Sequence, residues 1–302
     1  MQATIQDAGS QPLKPVFIIG LHRTGSTLLR NILDANSRLA MATDEMELYH
    51  PWKRTFADHF KSLGDLRSDE TIWSLVEFIY TGTIQGTFWK DYRALGIPRE
   101  KVFSRIRESD KSLRSVVSIL LDEYRSKSGK ERVGVKYPLH FSKLHVLLKW
   151  YPDSKVICLA RDIRAVCASK LNDPATCTRK AKRPWLAPLI HYATLGLFIF
   201  DYIWFTRIYR RYRNCPNVRL VRYEDMVSDP DKTIGSLCDF CEIPFEPQMS
   251  NANGKPSSFS GIRHKGPDLT RIHNWQTRLS RFDRVLINSL TKRSMVALGY
   301  GK

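Results

Sequence analysis

A chain of 302 residues with 42% hydrophobic content is ample for one α/β domain with a buried core. Its 48 basic residues outweigh 30 acidic ones, leaving a formal charge of +18 that favours anionic partners: nucleotides, polyanions or an acidic membrane face. The six cysteines show no metal-ligand spacing, and the single C-x-x-C, Cys238 and Cys241, lies in a helical pattern and reads as core packing.

Residues 1–14 form a polar tail without the apolar core of a signal peptide, which predicts a reduced, cytoplasmic setting. Val16 to Ile19 then reads as a short buried strand, Gly20 to Gly25 as a tight loop, and Ser26 as the start of a helix. A glycine, four residues, a second glycine and a hydroxyl residue give the spacing of a phosphate-binding P-loop. The lysine that a nucleoside triphosphatase carries after the second glycine is missing; Ser26 stands there, and a cation appears inside the loop at Arg23. Main-chain N–H groups of residues 24–27 and the positive end of the helix would face an anion, with Ser26 and Thr27 adding hydroxyls. Without the lysine, a metal-bridged triphosphate loses a main partner, so an anion that needs no metal fits better. An ordinary strand-to-helix turn is the plain alternative.

Further along, Leu113, Val116, Val117, Leu120, Leu121 and Tyr124 mark one face of a helix. The polar run 126–132 with Gly129 ends it, and Val133 to Lys136 reads as a strand. Lys155 to Ala160 is a buried strand followed at once by a helix over Ile163 to Leu171. This order delivers Arg161 to the carboxyl edge of a sheet and puts Ser169 about two helical turns beyond. Trp185 to Phe205 approaches the ~20 residues of a membrane span, but Pro188, His191, Gly196 and Asp201 argue against a simple lipid-crossing helix. A buried helix is expected. The alternative is an interfacial aromatic helix whose end, at Arg207, Arg210, Arg211 and Arg213, meets anionic lipid. Val218 to Tyr223 gives another strand and Ile234 to Cys241 another helix. Strands separated by helices, with no long linker, predict one α/β domain: a central parallel sheet flanked by helices.

The loop and the segment Leu28 to Ala35 after it resemble the 5′-phosphosulfate loop of sulfotransferases that use 3′-phosphoadenosine 5′-phosphosulfate (PAPS), in the branch of bacterial and tyrosylprotein enzymes. The likeness extends to Glu47-Leu48-Tyr49-His50-Pro51, to Lys136-Tyr137-Pro138-Leu139-His140, to Arg161 and Ser169, to Tyr223-Glu224-Asp225, and loosely to Arg263-His264-Lys265-Gly266. The resemblance implies a P-loop NTPase-like fold over 15–302, with 172–215 as a helical insert on the acceptor side. It also implies in-line sulfuryl transfer from PAPS, without a metal, to a hydroxyl or amine of a small or lipophilic organic acceptor. Carried over residue by residue, Arg23, Thr24, Gly25, Ser26, Thr27, Arg161, Ser169, Tyr223, Arg263 and Lys265 would bind the nucleotide. Glu47, His140, Lys136 and Arg23 would carry the chemistry. Glu47 is placed before His140 as general base, with Glu45 as the competing register. Two other classes fit parts of the pattern: a P-loop kinase, disfavoured by the absent lysine, and a non-catalytic polyanion binder suggested by charge alone. No recognised nucleic-acid motif is present.

Overall fold

The computed structural model describes residues 13–42, 47–50, 53–81, 92–250 and 268–300. Its centre is a run of short apolar strands: β1 (Val16–Gly20), β2 (Leu39–Met41), β3 (Arg132–Lys136), β4 (Lys155–Ala160) and β5 (Val218–Arg222). They form a five-stranded sheet in the order β2-β3-β1-β4-β5, and every neighbouring pair is parallel. Alternation along each strand divides the core between two faces. Phe17, Ile19, Val135 and Cys158 point into the larger cluster, while Val16, Ile18, Ile157 and Leu159 point into the smaller one. Helices cover both faces, so the central strands β1 and β4 read as nearly continuous apolar runs, whereas the edge strand β5 carries Arg219 and Arg222.

Several expected boundaries hold. The first helix runs Ser26–Asp34 and the one after β4 runs Ile163–Leu171. Two differ. β5 stops at Arg222, and Tyr223 opens a short helix, Tyr223–Ser228, instead of ending the strand. The segment around 185–205 becomes a 26-residue helix, Ala187–Tyr212, preceded by a 3₁₀ turn at Pro184–Leu186. The expectation of a buried helix is corrected here, because only one face is covered. Leu195, Phe198, Ile199, Tyr202 and Phe205 are buried, while Leu189, Tyr192, Leu197 and Phe200 face outward. The buried face packs on the Ile163–Leu171 helix and on the C-terminal helix, Arg281–Ala297. Phe141, in the turn after β3, meets Trp204 and Phe205 edge-to-face at 5.3 and 5.5 Å.

Strand order places the site. From β1 the chain passes to β2 and β3 on one side, whereas β4 lies on the other. The carboxyl end of β1 is therefore the switch point where open α/β sheets bind ligands. The β3 chain crosses beside it: Tyr137 N donates to Ile18 O at 2.7 Å and Leu139 N to Gly20 O at 2.9 Å.

Candidate active site

The glycines of the loop are required by contact. A side chain at Gly20 would land on the Leu159 carbonyl oxygen of the adjacent strand. At Gly25 the backbone is left-handed (φ 94°), and a Cβ would sit 2.8 Å from Tyr223 Cε2 and closer still to Cδ2. Between them Arg23 also adopts a left-handed backbone, φ 71°, which is uncommon for a non-glycine residue. Thr24 is buried and its hydroxyl donates to Leu21 O at 2.8 Å, closing the loop on itself.

The helix that follows starts without a side-chain cap and has no acid in its first turn. Elsewhere Thr55, Ser112, Asp173 and Ser280 cap their helices with a side-chain oxygen. An uncapped N-terminus keeps main-chain donors and the dipole's positive end directed at the loop's concavity. Ser26 and Thr27 lie in that first turn. Lys136, buried at the end of β3, donates from Nζ to Thr27 Oγ1 at 3.4 Å. The cation missing from the loop is thus supplied from the neighbouring strand.

A second cationic position lies at the end of β4. Arg161 is 8% exposed, and its guanidinium stacks 4.2 Å over the Tyr223 ring. Nη1 donates to Arg23 O at 3.1 Å and Nη2 to Arg271 O at 2.8 Å, while Nε is buried without a hydrogen-bond partner. Burial pulls the Arg161 pKa below its ordinary value, against the opposing influence of Tyr223 and Glu224. Arg23 Nε donates to Ser169 Oγ at 3.0 Å, so Arg23, Arg161 and Ser169 converge although they come from three elements. Asp162, the obvious acidic partner for Arg161, is held instead by Arg164 in a bidentate pair at 3.0 and 2.6 Å. Tyr223 is among the residues that the resemblance assigns to the nucleotide. It is 4% exposed, clamped between Gly25 and Arg161 as the floor of the loop.

The two expected bases have contrasting environments. His140 is 3% exposed and stacks on Tyr137 at 4.4 Å. Its Nε2 accepts the Tyr49 main-chain N–H at 2.9 Å, which fixes the tautomer. Nδ1 therefore carries the proton and donates to Pro138 O at 3.1 Å. Burial pulls the imidazole down to about 4, so it is neutral at physiological pH with both nitrogens engaged. Glu47 is nearly buried, and its carboxylate pairs with Lys53 at 2.9 Å. The Tyr49–His140 bond docks the Glu47–His50 segment on the turn after Lys136.

Glu45, Arg263 and Lys265 lie outside the described residues. One residue at this site escaped the sequence reading. His22, next to Arg23, is pulled down to about 3 by burial and by the charges of Lys136, His50, Lys170 and Lys53. Its adjacency to the loop arginine was the available signal.

A family model described as the Sulfotransferase family matches residues 15–247, and the chain belongs to that family. Solved structures share the fold at low identity. The sulfotransferase domain from the curacin biosynthetic pathway superposes with a TM-score of 0.62 at 19% identity, covering 96% of this chain and 99% of that one. The sulfotransferase domain from the Synechococcus PCC 7002 olefin synthase gives 0.54 at 17% identity over 96% and 98%. Sulfotransferase STF9 from Mycobacterium avium gives 0.52 at 15% over 97% and 79%. An uncharacterized protein from Aquifex aeolicus (strain VF5) is 22% identical over 288 residues. That match takes in 90% of this chain and 32% of the relative, so the chain spans about a third of that protein's length.

Proposed function

We propose that this protein transfers the sulfuryl group of PAPS to a hydroxyl or amine of an organic, lipophilic acceptor in the cytoplasm. The observation that carries the reading is a pair of separate cationic positions around one uncapped helix N-terminus: Lys136 at Thr27, and Arg23 with Arg161 at Ser169. One suits the 5′-phosphosulfate and the other a 3′-phosphate, and the buried unpartnered Arg161 Nε fits a phosphate oxygen.

In the transfer, the acceptor oxygen or nitrogen forms a bond to sulfur as the bond from sulfur to the bridging phosphate oxygen breaks. The electron pair of that bond leaves with the 5′-phosphate. Loop N–H groups and Lys136 stabilise the growing phosphate charge, and positioning supplies most of the remaining rate. The acceptor proton passes to Glu47, which is favoured over His140 because the latter has no free lone pair in this arrangement. His140 serves by holding the Glu47–His50 segment against the Lys136 turn. The 172–215 insert supplies the acceptor side, where Phe141 meets Trp204 and Phe205.

Thermal-shift measurement tests the reading. Stabilisation by 3′-phosphoadenosine 5′-phosphate (PAP) without magnesium is the expected result, and stabilisation by magnesium ATP alone would reject it in favour of a kinase. A mass-tagged PAPS screen over phenols, sterols, amines and lipids then identifies the acceptor.

A further inference from the structure

The outward face of the long helix and its neighbour at the C-terminus form a surface that sulfuryl transfer does not use. Trp185 is 80% exposed, Leu189 64%, Phe200 54% and Phe282 61%. Tyr192 and Phe282 meet edge-to-face at 6.0 Å, which joins the exposed sides of the two helices into one patch. Of the most apolar 18-residue window in 184–212, only 33% is buried, far from the environment of a core helix.

Charge is segregated on the same two helices. The long helix carries Arg207, Arg210 and Arg211 and one acid, Asp201, with Arg179, Lys180, Lys182 and Arg183 in the segment just before it and Arg213 just after; residues 281–297 contain four Lys or Arg and one acid, Asp283. Both acids are buried, and Asp283 is held by His191 at 3.0 Å. The face therefore offers aromatic and aliphatic side chains framed by Lys182 and Arg183 at one end and by Arg207, Arg210 and Arg211 at the other, with no exposed carboxylate on either helix.

We infer that this two-helix face docks on the surface of an anionic lipid bilayer. The helix lies on the membrane rather than crossing it, because its opposite face is built into the protein and carries Asp201 at its middle. A second copy of the chain is a poor occupant, since a twofold contact would set the uncompensated cations of one face against those of the other. A bilayer bearing acidic headgroups neutralises them and accepts the aromatic rings at headgroup depth. The same helix reaches the turn after Lys136 through Phe141, so docking brings the membrane beside the acceptor side. The inference does not depend on the sulfuryl-transfer reading.

Co-sedimentation with vesicles tests it. The protein should pellet with phosphatidylcholine vesicles containing phosphatidylserine, stay in solution with phosphatidylcholine alone, and be released by salt. Brominated acyl chains should quench tryptophan emission, and Trp185→Phe should remove much of that quenching. Arg210→Glu with Arg211→Glu should weaken vesicle binding by more than about tenfold, given the usual gain per cation near an acidic surface. The melting temperature and far-UV circular dichroism of that variant should match the wild type, which shows that it is folded. Wild-type protein that stays in solution with acidic vesicles at low salt would overturn the inference. So would equal pelleting of the charge-reversed variant, or a dimer in sedimentation velocity that the same substitutions dissolve.

Discussion

His140 gives the sharpest quantitative consequence of the structure. Its folded pKa of about 4 lies below the ordinary 6.5, because burial disfavours the imidazolium and outweighs the opposing Nδ1–H bond to Pro138 O, while Nε2 is occupied by the Tyr49 N–H. Between those values the unfolded chain binds a proton that the folded chain refuses, so acid favours unfolding. The stabilising contribution is complete above pH 6.5, declines as the pH falls, and is gone below about pH 4. At about 1.4 kcal/mol per pH unit, the fall from 6.5 to about 4 is worth about 3 kcal/mol. Urea unfolding of the wild type and of His140→Gln at intervals from pH 7 to pH 4.5 measures it. The stability gap between them should narrow across that window by most of the stated amount. Glutamine can replace both hydrogen bonds but cannot titrate, so the comparison isolates the imidazole. An NMR titration that finds His140 protonating near 6.5, or a gap independent of pH, would refute the reasoning and restore His140 as a candidate base.

Asp201 should show the opposite sign. Burial raises its carboxyl to about 6 and leaves Oδ1 without a partner, so Asp201→Asn should stabilise the protein by about 2 kcal/mol at pH 7, with the advantage vanishing toward pH 4 in chemical denaturation. Gly25→Ala meets both the left-handed backbone and the Tyr223 ring, and should cost at least about 2 kcal/mol in thermal unfolding and abolish PAP binding. Lys136→Met should lower kcat by about a hundredfold or more and also weaken PAP by about tenfold in calorimetry, because the 5′-phosphate of PAP carries in full the charge that the lysine meets. Arg161→Ala should weaken PAP binding by about 10- to 100-fold and erase the preference for PAP over adenosine 5′-phosphate. An unchanged preference would remove Arg161 from the 3′-phosphate site.

Where the sequence was read correctly, a local rule was sufficient. The two glycines with a hydroxyl after them mark the loop because few other patterns need glycine twice beside a strand end, and Val156 to Ala160 is apolar throughout because both sheet faces are covered. The three-residue β2 was not seen, since Leu39–Met41 is too short to show a period. The place of Tyr223 under the loop could not be read from spacing, because its contacts with Gly25 and Arg161 join residues remote in sequence. The engagement of both His140 nitrogens was hidden for the same reason: the partner of Nε2 is the main-chain N–H of Tyr49, 91 residues away, which no spacing encodes. The long helix was recognised by composition, but which half of its surface would be covered depended on the C-terminal helix.

The sheet order also governs when this protein can fold as it leaves the ribosome. β1 is near the start of the chain, yet its two hydrogen-bonding neighbours are β3 and β4, beginning at Arg132 and Lys155. At ordinary translation speeds the first strand emerges on the order of ten seconds before β3, the earlier of the two, is available to it. During that interval Val-Phe-Ile-Ile is an unpaired, aggregation-prone segment, and the anion loop behind it has no scaffold. The nascent chain should therefore bind holdase chaperones through β1, and the phosphate cradle is assembled only after β3 and β4 have been made.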